Sequence, residues 1–289
     1  MCKVKNDLPL LSIRLMVFNH ADFLEECLKS INEQKTNFRF ELVIGDDFSE
    51  DNSLQIIRNF NFTNSNIQIN VLPREKGDSY YIKRKKFGRL HNFRDIIDNC
   101  NGTYIALLDG DDYWTDPLKL QKQVDFLESS PAYNYCGHKS SSLVNGKINE
   151  IDISTNELTF SNLFFKNALN TATLVFRASS INKLPDYFEK VPAGDWVLQL
   201  IAIKDSKAFI LQDNMSVYRV HEEGIWSLLD REEQIERGVK TQEFFKKIYN
   251  DKESIKLINK AIKSRRNTAR IHKPALRQKI IKLLKKIYK

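Results

Sequence analysis

The sequence predicts an α/β protein with a mostly parallel, Rossmann-like sheet that is flanked by helices, followed by a helical, basic C-terminal extension. The first half of the 289-residue chain alternates short apolar runs with amphipathic segments, which is the order of elements that builds parallel sheets. From Glu232 onward the chain is charged and helical in pattern. We therefore expect residues 1–230 to form one α/β domain and residues 231–289 to form the extension.

The alternation predicts each element of the first half in turn. Strands are expected at residues 10–18, 40–44, 67–72 and 104–108, and helices at residues 23–34, 53–60 and around 92–100. Residues 83–86, which are Lys-Arg-Lys-Lys, are expected to form a basic, solvated loop.

The second half has a weaker pattern. Helices are predicted at residues 118–127 and 197–203, and strands around residues 133–136, 171–176 and 208–212.

Composition excludes several classes of protein. Hydrophobic residues make up 42% of the chain and there are only seven prolines, which argues against disorder. No stretch approaches the roughly 20 apolar residues of a membrane span, and the N-terminus lacks the apolar core of a signal peptide. Cys2, Cys27, Cys100 and Cys136 are far apart in sequence, so we expect reduced thiols and a cytoplasmic protein.

Charge is distributed unevenly along the chain. The net charge is +8, but residues 246–289 carry 16 Lys and Arg against two acids, so residues 1–245 are mildly acidic. The apolar positions of the last predicted helix fall on one side, with basic residues around them; they are Leu276, Ile280, Leu283, Leu284 and Ile287. This pattern is typical of a helix on an anionic membrane, so the protein is expected to be peripheral on the inner face of a membrane. The alternative is that the apolar side packs on the protein itself or on a second copy, as a homodimer.

Nucleic acid is not expected as a partner, because the chain has neither a zinc finger nor a basic surface with interspersed aromatic residues.

Polar residues follow three of the predicted strands, where ligands bind in parallel sheets. They are Phe18-Asn19, Asp46-Asp47 and Asp109-Gly110-Asp111-Asp112. Three carboxylates within four residues suit a hard divalent cation that also carries phosphate oxygens. The alternative is an acidic turn without function. Because carboxylates stand at two of the three strand ends, the pattern favours a metal and phosphate site.

Several motifs occur in a fixed order. They are Asn19-His20, residues 44–51 (IGDDFSED), residues 102–114 (GTYIALLDGDDYW), Gly194-Asp195-Trp196 and residues 218–221 (YRVH). Together they resemble the family-2 glycosyltransferases, which have the GT-A fold, over residues 8–228. The chain is especially similar to the bacterial branch with a Gly-Asp-Asp-Tyr-Trp loop, whose members build surface polysaccharides.

The resemblance implies an inverting, hexosyltransferase-type reaction. A sugar would pass from a nucleotide-diphosphate donor, UDP by family habit, to a hydroxyl of a saccharide or lipid-linked saccharide, with Mn²⁺ or Mg²⁺ as cofactor. Asp111 and Asp112 correspond to the family's Asp-x-Asp element and would hold the metal and the ribose, and Asp109 would contribute to either. His221 would lie near the metal or the diphosphate. Asp195 matches the general base of the family, although Asp is also a favoured helix N-cap.

The remaining site residues are also implied by the resemblance. The nucleotide would be bound by the Val17 backbone, Phe18, Asn19 and Asp47, with Asp47 accepting from the base. Arg219 would contact phosphate or pair with an acid.

The tryptophans are assigned to the acceptor site and to a mobile flap. Trp196 follows the general base. Trp114 and Trp226 would stack on a sugar or belong to the core. Residues 221–229 would be the flap that closes on the donor.

Two departures from the family stand out. Met16 takes the place of a frequent Pro, and Phe93-Arg94 that of an Arg-Asn pair, which leaves the diphosphate-binding arginine open. Two alternative functions remain open: nucleotidyl transfer on a similar acidic metal site, and a non-catalytic module that binds a nucleotide sugar or a partner.

Overall fold

The computed structural model of the protein describes residues 8–181, 183–203, 206–222, 224, 226 and 229–271. The predicted helix at residues 276–287 lies outside these residues. Contacts divide the chain into two compact units. The first comprises Met1–Phe160, Ala168–Lys190 and Gly194–Val220, and the second comprises Ser161–Asn167, Val191–Ala193 and His221–Lys289.

The first half alternates strands and helices as predicted. Its elements are β1 (Leu11–Val17), α1 (Ala21–Asn32), β2 (Phe40–Asp46), α2 (Ser53–Asn59), β3 (Ile67–Val71), α3 (Ser79–Phe87), α4 (Leu90–Asp98) and β4 (Tyr104–Asp109). The remaining elements are β5 (Tyr113–Trp114), α5 (Lys119–Ser129), β6 (Tyr133–Val144), β7 (Lys147–Glu150), β8 (Glu157–Leu158), α6 (Phe160–Phe165), β9 (Val175–Arg177), α7 (Gly194–Ile203), β10 (Lys207–Val220), α8 (Arg231–Ile248) and α9 (Lys252–Ile271).

The strands of the first half form a parallel sheet in the order β3-β2-β1-β4. In the register of this sheet, Val17 lies beside Asp46 and Met16 lies beside Asp109. The carboxyl ends of β1, β2 and β4 therefore meet at one edge, which confirms the predicted arrangement of strands.

The second half makes the sheet mixed. β9 pairs antiparallel with both β4 and β6, whereas β6 and β10 are parallel. β10 also pairs antiparallel with β5, placing Ser216 beside Trp114. This pairing ties the chain just after the acidic loop to a long strand.

Helices cover both faces of the parallel half, as predicted. On one face, Leu24 and Leu28 of α1 belong to the same apolar cluster as Leu42 of β2. On the other face, Ile96 of α4 packs with Val43 of β2. Neighbouring residues of β2 thus point to opposite sides of a buried strand.

The prediction of a basic loop at residues 83–86 is wrong, because these residues lie in α3. Asp78 caps this helix: its side chain accepts a hydrogen bond from the Tyr81 backbone N–H at 2.6 Å. The predicted strand at 171–176 also divides into a short 3-10 turn, Thr171–Thr173, and β9.

The second unit contains the α8–α9 pair. A capping box of Asp230 and Glu233 starts α8. Arg265 of α9 donates from Nε to Gln242 of α8 at 3.1 Å. A Cβ at Gly238 would lie 2.5 Å from the Arg265 guanidinium, so a larger residue there would require that side chain to shift. None of the helices in the described residues is both long enough and apolar enough to cross a lipid bilayer.

Candidate active site

The two loops that follow β1 and β2 are hydrogen-bonded to each other. Asn19, in the left-handed region at φ 53°, donates its backbone N–H to Ser49 Oγ at 2.9 Å. The Asn19 side-chain oxygen accepts the Glu50 N–H at 2.8 Å, and Ser49 Oγ in turn donates to Asp46. The polar side chains of these loops therefore hold the edge of the site, while the Phe18 ring beside them is 48% exposed.

Asp47 is buried in an ion pair that the sequence pattern did not reveal. The Arg84 guanidinium of α3 contacts both of its carboxylate oxygens at 2.7–2.8 Å, and the Tyr80 hydroxyl donates to Oδ1 at 3.3 Å. The backbone N–H of Asp47 donates to the Val17 carbonyl at 2.8 Å. The hydrogen bond to Asp47 raises the pKa of Arg84, so this arginine stays charged.

A second arginine, Arg74, contacts Tyr80, the residue whose hydroxyl donates to Asp47. The Arg74 guanidinium lies 3.5 Å from the centre of the Tyr80 ring and pairs with Asp95 at 2.6 Å. Burial raises the pKa of the Tyr80 hydroxyl, which keeps it protonated and able to donate to Asp47. The wall of the predicted nucleotide pocket is therefore built from α3 and α4 as well as from strand ends.

The first carboxylate of the acidic loop is held by a buried arginine. Arg14, fully buried in β1, donates from Nη1 to the Asp109 carboxylate and to the Leu108 carbonyl at 3.1 Å. Its guanidinium also lies 4.0 Å from the centre of the Phe93 ring. Burial lowers the pKa of Arg14 and raises that of Asp109, and the opposite charge of each partner works against its shift.

The other two carboxylates differ in exposure. The Asp111 side chain is 19% exposed, and its Oδ2 lies 3.8 Å from His20 Nε2. Asp112 is only 2% exposed, and its Oδ1 accepts the Arg219 backbone N–H at 2.9 Å. Burial, followed by the nearby charge of Asp111, raises the pKa of Asp112 well above the usual range of a carboxyl. A cation at this point would relieve that cost.

Arg219 of β10 is hydrogen-bonded to the acidic loop. Its guanidinium donates to the Asp111 carbonyl at 2.8 Å and to the Glu26 carboxylate of α1. It also lies 4.5 Å from the centre of the Tyr113 ring. Of the two roles considered for this residue, the structure displays the pairing with an acid.

The chemistry of the donor set fits a divalent cation, but a complete cluster is not preformed. Asp111 and Asp112 supply hard oxygen donors, and the buried Asp112 lacks a positive partner strong enough to restore its usual pKa. Within the described residues, no three His, Cys, Asp or Glu side chains converge as metal ligands. Asp109 already has Arg14 as its partner.

Asp195 belongs to the same electrostatic neighbourhood. It lies in the first turn of α7 and is half-buried. Burial is the largest cause of the pKa shifts of Arg14 and Asp109, and their mutual pairing is the next. The negative charge of Asp195 is a smaller contribution, which acts to raise the pKa of each group. The predicted general base thus belongs to the same unit as the strand-end carboxylates, and its charge acts on Arg14 and Asp109.

The three tryptophans have different environments. Trp114 is 4% exposed, and its indole N–H donates to the Ala172 carbonyl at 2.9 Å, so its environment is that of a core residue. Trp196 is likewise buried in α7. Trp226, which is 41% exposed, and His221 both belong to the second unit.

Lys119 is an unexpected buried cation below Trp114. Its Nζ lies 4.0 Å from the centre of the Trp114 ring and has no hydrogen-bond partner in the described residues. Burial lowers the pKa of Lys119 to about 7.

Sequence comparisons agree with this geometry. The profile described as glycosyl transferase family 2 matches residues 12–183. An uncharacterized protein of Mycobacterium tuberculosis is 29% identical over 224 residues, which are 75% of this chain and 60% of that protein. The chain thus spans about 60% of the length of this relative. A putative teichuronic acid biosynthesis glycosyltransferase of Bacillus subtilis is 28% identical over 131 residues, covering 45% of this chain and 47% of its own.

Solved structures share the fold. The crystal structure of S. aureus TarS 1-349 in complex with UDP-GlcNAc matches with a TM-score of 0.58 and 18% identity, over 82% of this chain and 66% of that chain. A mannosyltransferase from Pyrobaculum calidifontis, in complex with GDP-Man and Mn²⁺, matches with a TM-score of 0.58 and 16% identity, over 89% and 69% of the two chains. This likeness shows the predicted GT-A fold.

Proposed function

The chain belongs to glycosyl transferase family 2, and from that premise we propose that it transfers a sugar, with inversion, from a nucleotide-diphosphate donor to an acceptor hydroxyl. The observation that carries the proposal is that the ends of β1, β2 and β4 meet at one edge of the parallel sheet. These ends are followed directly by Phe18, by Asp47 and by the loop with Asp111 and Asp112. The nucleotide sugars in the two structural neighbours support this class of donor. We propose UDP as the nucleotide.

Asp111 and Asp112 would hold Mn²⁺ or Mg²⁺, with His221 as a further ligand. When bound, the cation neutralises the charge that develops on the leaving diphosphate. The Mn²⁺ named with the mannosyltransferase supports a divalent metal. We propose that Asp109 stays paired with Arg14 and positions the loop.

The nucleoside would lie between the ends of β1 and β2. The exposed Phe18 ring offers an apolar face for the base, and Asp47 accepts its N–H group while sharing the carboxylate with Arg84. The Val17 backbone and Asn19 complete the edge of this pocket.

Asp195 would accept the proton of the acceptor hydroxyl as that hydroxyl attacks the sugar. It lies in the first turn of α7, a largely buried helix. A general base must be held in a fixed orientation toward its substrate, and a packed helix provides this. Trp226 belongs to the predicted flap at 221–229, of which residues 223, 225, 227 and 228 lie outside the described residues, and would close over the donor. Trp196 would support Asp195 from the core.

We further propose that residues 1–230 are the catalytic domain and that residues 231–289 are an extension. The teichuronic acid relative supports an acceptor from surface polysaccharide synthesis, either a saccharide or a lipid-linked saccharide. Such an acceptor would be met in the cytoplasm at the inner face of the membrane, with the basic residues 246–289 toward anionic lipid. The alternative is a homodimer in which the apolar side of the last predicted helix packs on a second copy.

The proposal is tested by following which product leaves the donor. Purified protein is incubated with Mn²⁺ and UDP-, GDP- or dTDP-sugars, with water as a slow acceptor. Release of a nucleoside diphosphate by the wild type, lost in Asp195→Asn and retained in the exposed control Asp186→Asn, is the expected result. In a parallel reaction with a nucleoside triphosphate and a sugar 1-phosphate, release of pyrophosphate would instead identify a nucleotidyltransferase. Binding of the nucleotide sugar without release of any product would identify a non-catalytic module.

A further inference from the structure

The exposed side of α9 carries a row of like charges. Lys252, Lys256, Lys260 and Lys263 are all exposed, and at 100° per residue they fall within an arc of roughly 80°. We call these four residues the lysine face. The only acid in α9 is Glu253. No carboxylate lies within 4.0 Å of any of the four amines among the residues that the structure describes.

The opposite side of α9 is occupied by packing within the second unit. Ile258, Ala261 and Ile262 are buried, at 0%, 1% and 4% exposure. Arg265 reaches across to Gln242 of α8 and to the Phe165 carbonyl, at 3.1 Å and 3.0 Å. The helix is therefore fixed in rotation, and the lysine face points away from the side that packs.

We infer that the lysine face is a docking surface for the headgroups of an anionic lipid bilayer, and that it binds by charge alone. It spans 12 residues of a regular helix, or about 16 Å, which presents the amines in a straight row to a flat surface. Each Lys near an anionic bilayer contributes attraction that adds along the row. This inference extends the proposed membrane association to a defined surface and does not depend on sugar transfer.

The composition of the face decides between lipid and nucleic acid. Besides the lysines, the exposed residues between Lys252 and Lys263 are Glu253 and Asn259, which are both polar. Proteins that bind single-stranded nucleic acids commonly stack the bases on aromatic side chains. The sequence of α9 contains no aromatic residue. Among the side chains of α9 that the structure describes, residues 252–268, no large apolar one is exposed to insert into the acyl region. Binding should therefore vanish when salt screens the charges.

The test measures binding of the full-length protein to vesicles. Wild type is sedimented with vesicles of phosphatidylcholine and phosphatidylglycerol, and with vesicles of phosphatidylcholine alone. It is compared with three quadruple Lys→Gln variants that remove the same charge. The first changes the lysine face, the second changes Lys35, Lys147, Lys183 and Lys190 on the first unit, and the third changes Lys279, Lys282, Lys285 and Lys286 in the C-terminal segment outside the described residues.

We expect the lysine-face variant to lose at least about a hundredfold in vesicle partitioning, and the first-unit control to lose less than about threefold. Binding of the wild type should require phosphatidylglycerol and disappear at about 0.5 M KCl. The inference is overturned if the lysine-face variant binds like the control, if the C-terminal variant alone accounts for all binding, or if the wild type ignores anionic vesicles. Tighter, face-dependent binding of a single-stranded oligonucleotide would also overturn it. Donor cleavage by each variant separates these outcomes from failure of the proposed reaction.

Discussion

The ion pair between Arg14 and Asp109 provides a quantitative test of how the acidic loop is held. Arg14→Met leaves Asp109 without its cation and removes the contact with the Phe93 ring. Removing one member of a buried ion pair costs about 3–5 kcal/mol. Because the Asp109 side chain keeps 24% exposure, water offsets part of that cost, and we expect a loss of about 2–4 kcal/mol in the free energy of unfolding.

Removing the charge of the partner, Asp109, should lower the free energy of unfolding by at least as much. Asp109→Asn leaves a guanidinium that is fully buried, and two of its nitrogens, Nε and Nη2, already have no partner among the described residues. We expect a loss of about 4 kcal/mol. The double variant Arg14→Met/Asp109→Asn buries neither charge, so its loss should be smaller than the two single losses together by at least about 2 kcal/mol.

The assay is equilibrium unfolding in urea at neutral pH for the wild type, both single variants and the double variant. The exposed pair Lys29–Glu33, at 3.9 Å, serves as a matched control, and its coupling should stay below about 1 kcal/mol. A coupling for Arg14 and Asp109 as small as that of the control would refute the reasoning. So would an Arg14→Met variant as stable as the wild type.

Three further predictions concern buried charges near the site. Lys119→Met should raise the free energy of unfolding at neutral pH by about 1–3 kcal/mol. Because the pKa of Lys119 falls from 10.5 to about 7 on folding, the stability of the wild type should rise as the pH increases from about 7 to 10.5. Urea unfolding of the variant should show a flatter dependence on pH. Asp112→Asn should raise the melting temperature of the metal-free protein by about 2–4 °C at neutral pH and abolish donor cleavage. Because folding raises the pKa of Asp112 well above 3.8, wild-type stability falls as the pH rises from 3.8 toward that raised pKa. An unchanged melting temperature would argue against this cost. Asp47→Asn should weaken nucleotide binding about tenfold to a hundredfold in calorimetry, because it loses the ion pair with Arg84 and one acceptor; equal affinity would remove Asp47 from the pocket.

The parallel half of the fold was predictable because its signals are local. Each strand there is a short apolar run, each helix has one apolar side, and parallel pairing then brings Val17, Asp46 and Asp109 to one edge. Apart from α3, which was predicted as a loop, the elements of this half differ from the predicted bounds only at their ends, by a residue or two. The family motifs supplied the GT-A fold on top of this pattern.

The supporting residues were not predictable, because their partners are distant in sequence. Arg14 interrupts an apolar strand, a visible anomaly, but its partner Asp109 lies 95 residues further along the chain. Arg84 pairs with Asp47 across 37 residues, within a basic segment that resembles a solvated loop. The cap at Asp78 was the local signal for a helix there. The antiparallel strands of the second half depend on long-range pairing that weak apolar runs do not specify.

The central claim is that this edge of the sheet binds a nucleotide diphosphate together with a divalent cation. It is tested most directly by thermal unfolding of the protein with UDP, GDP, dTDP or CDP, each with and without Mn²⁺. A ligand that binds only the folded protein raises its melting temperature by mass action. The account predicts a Mn²⁺-dependent rise with UDP that disappears in Asp112→Asn. No rise with any of the four nucleotides, in the presence of Mn²⁺, would contradict it.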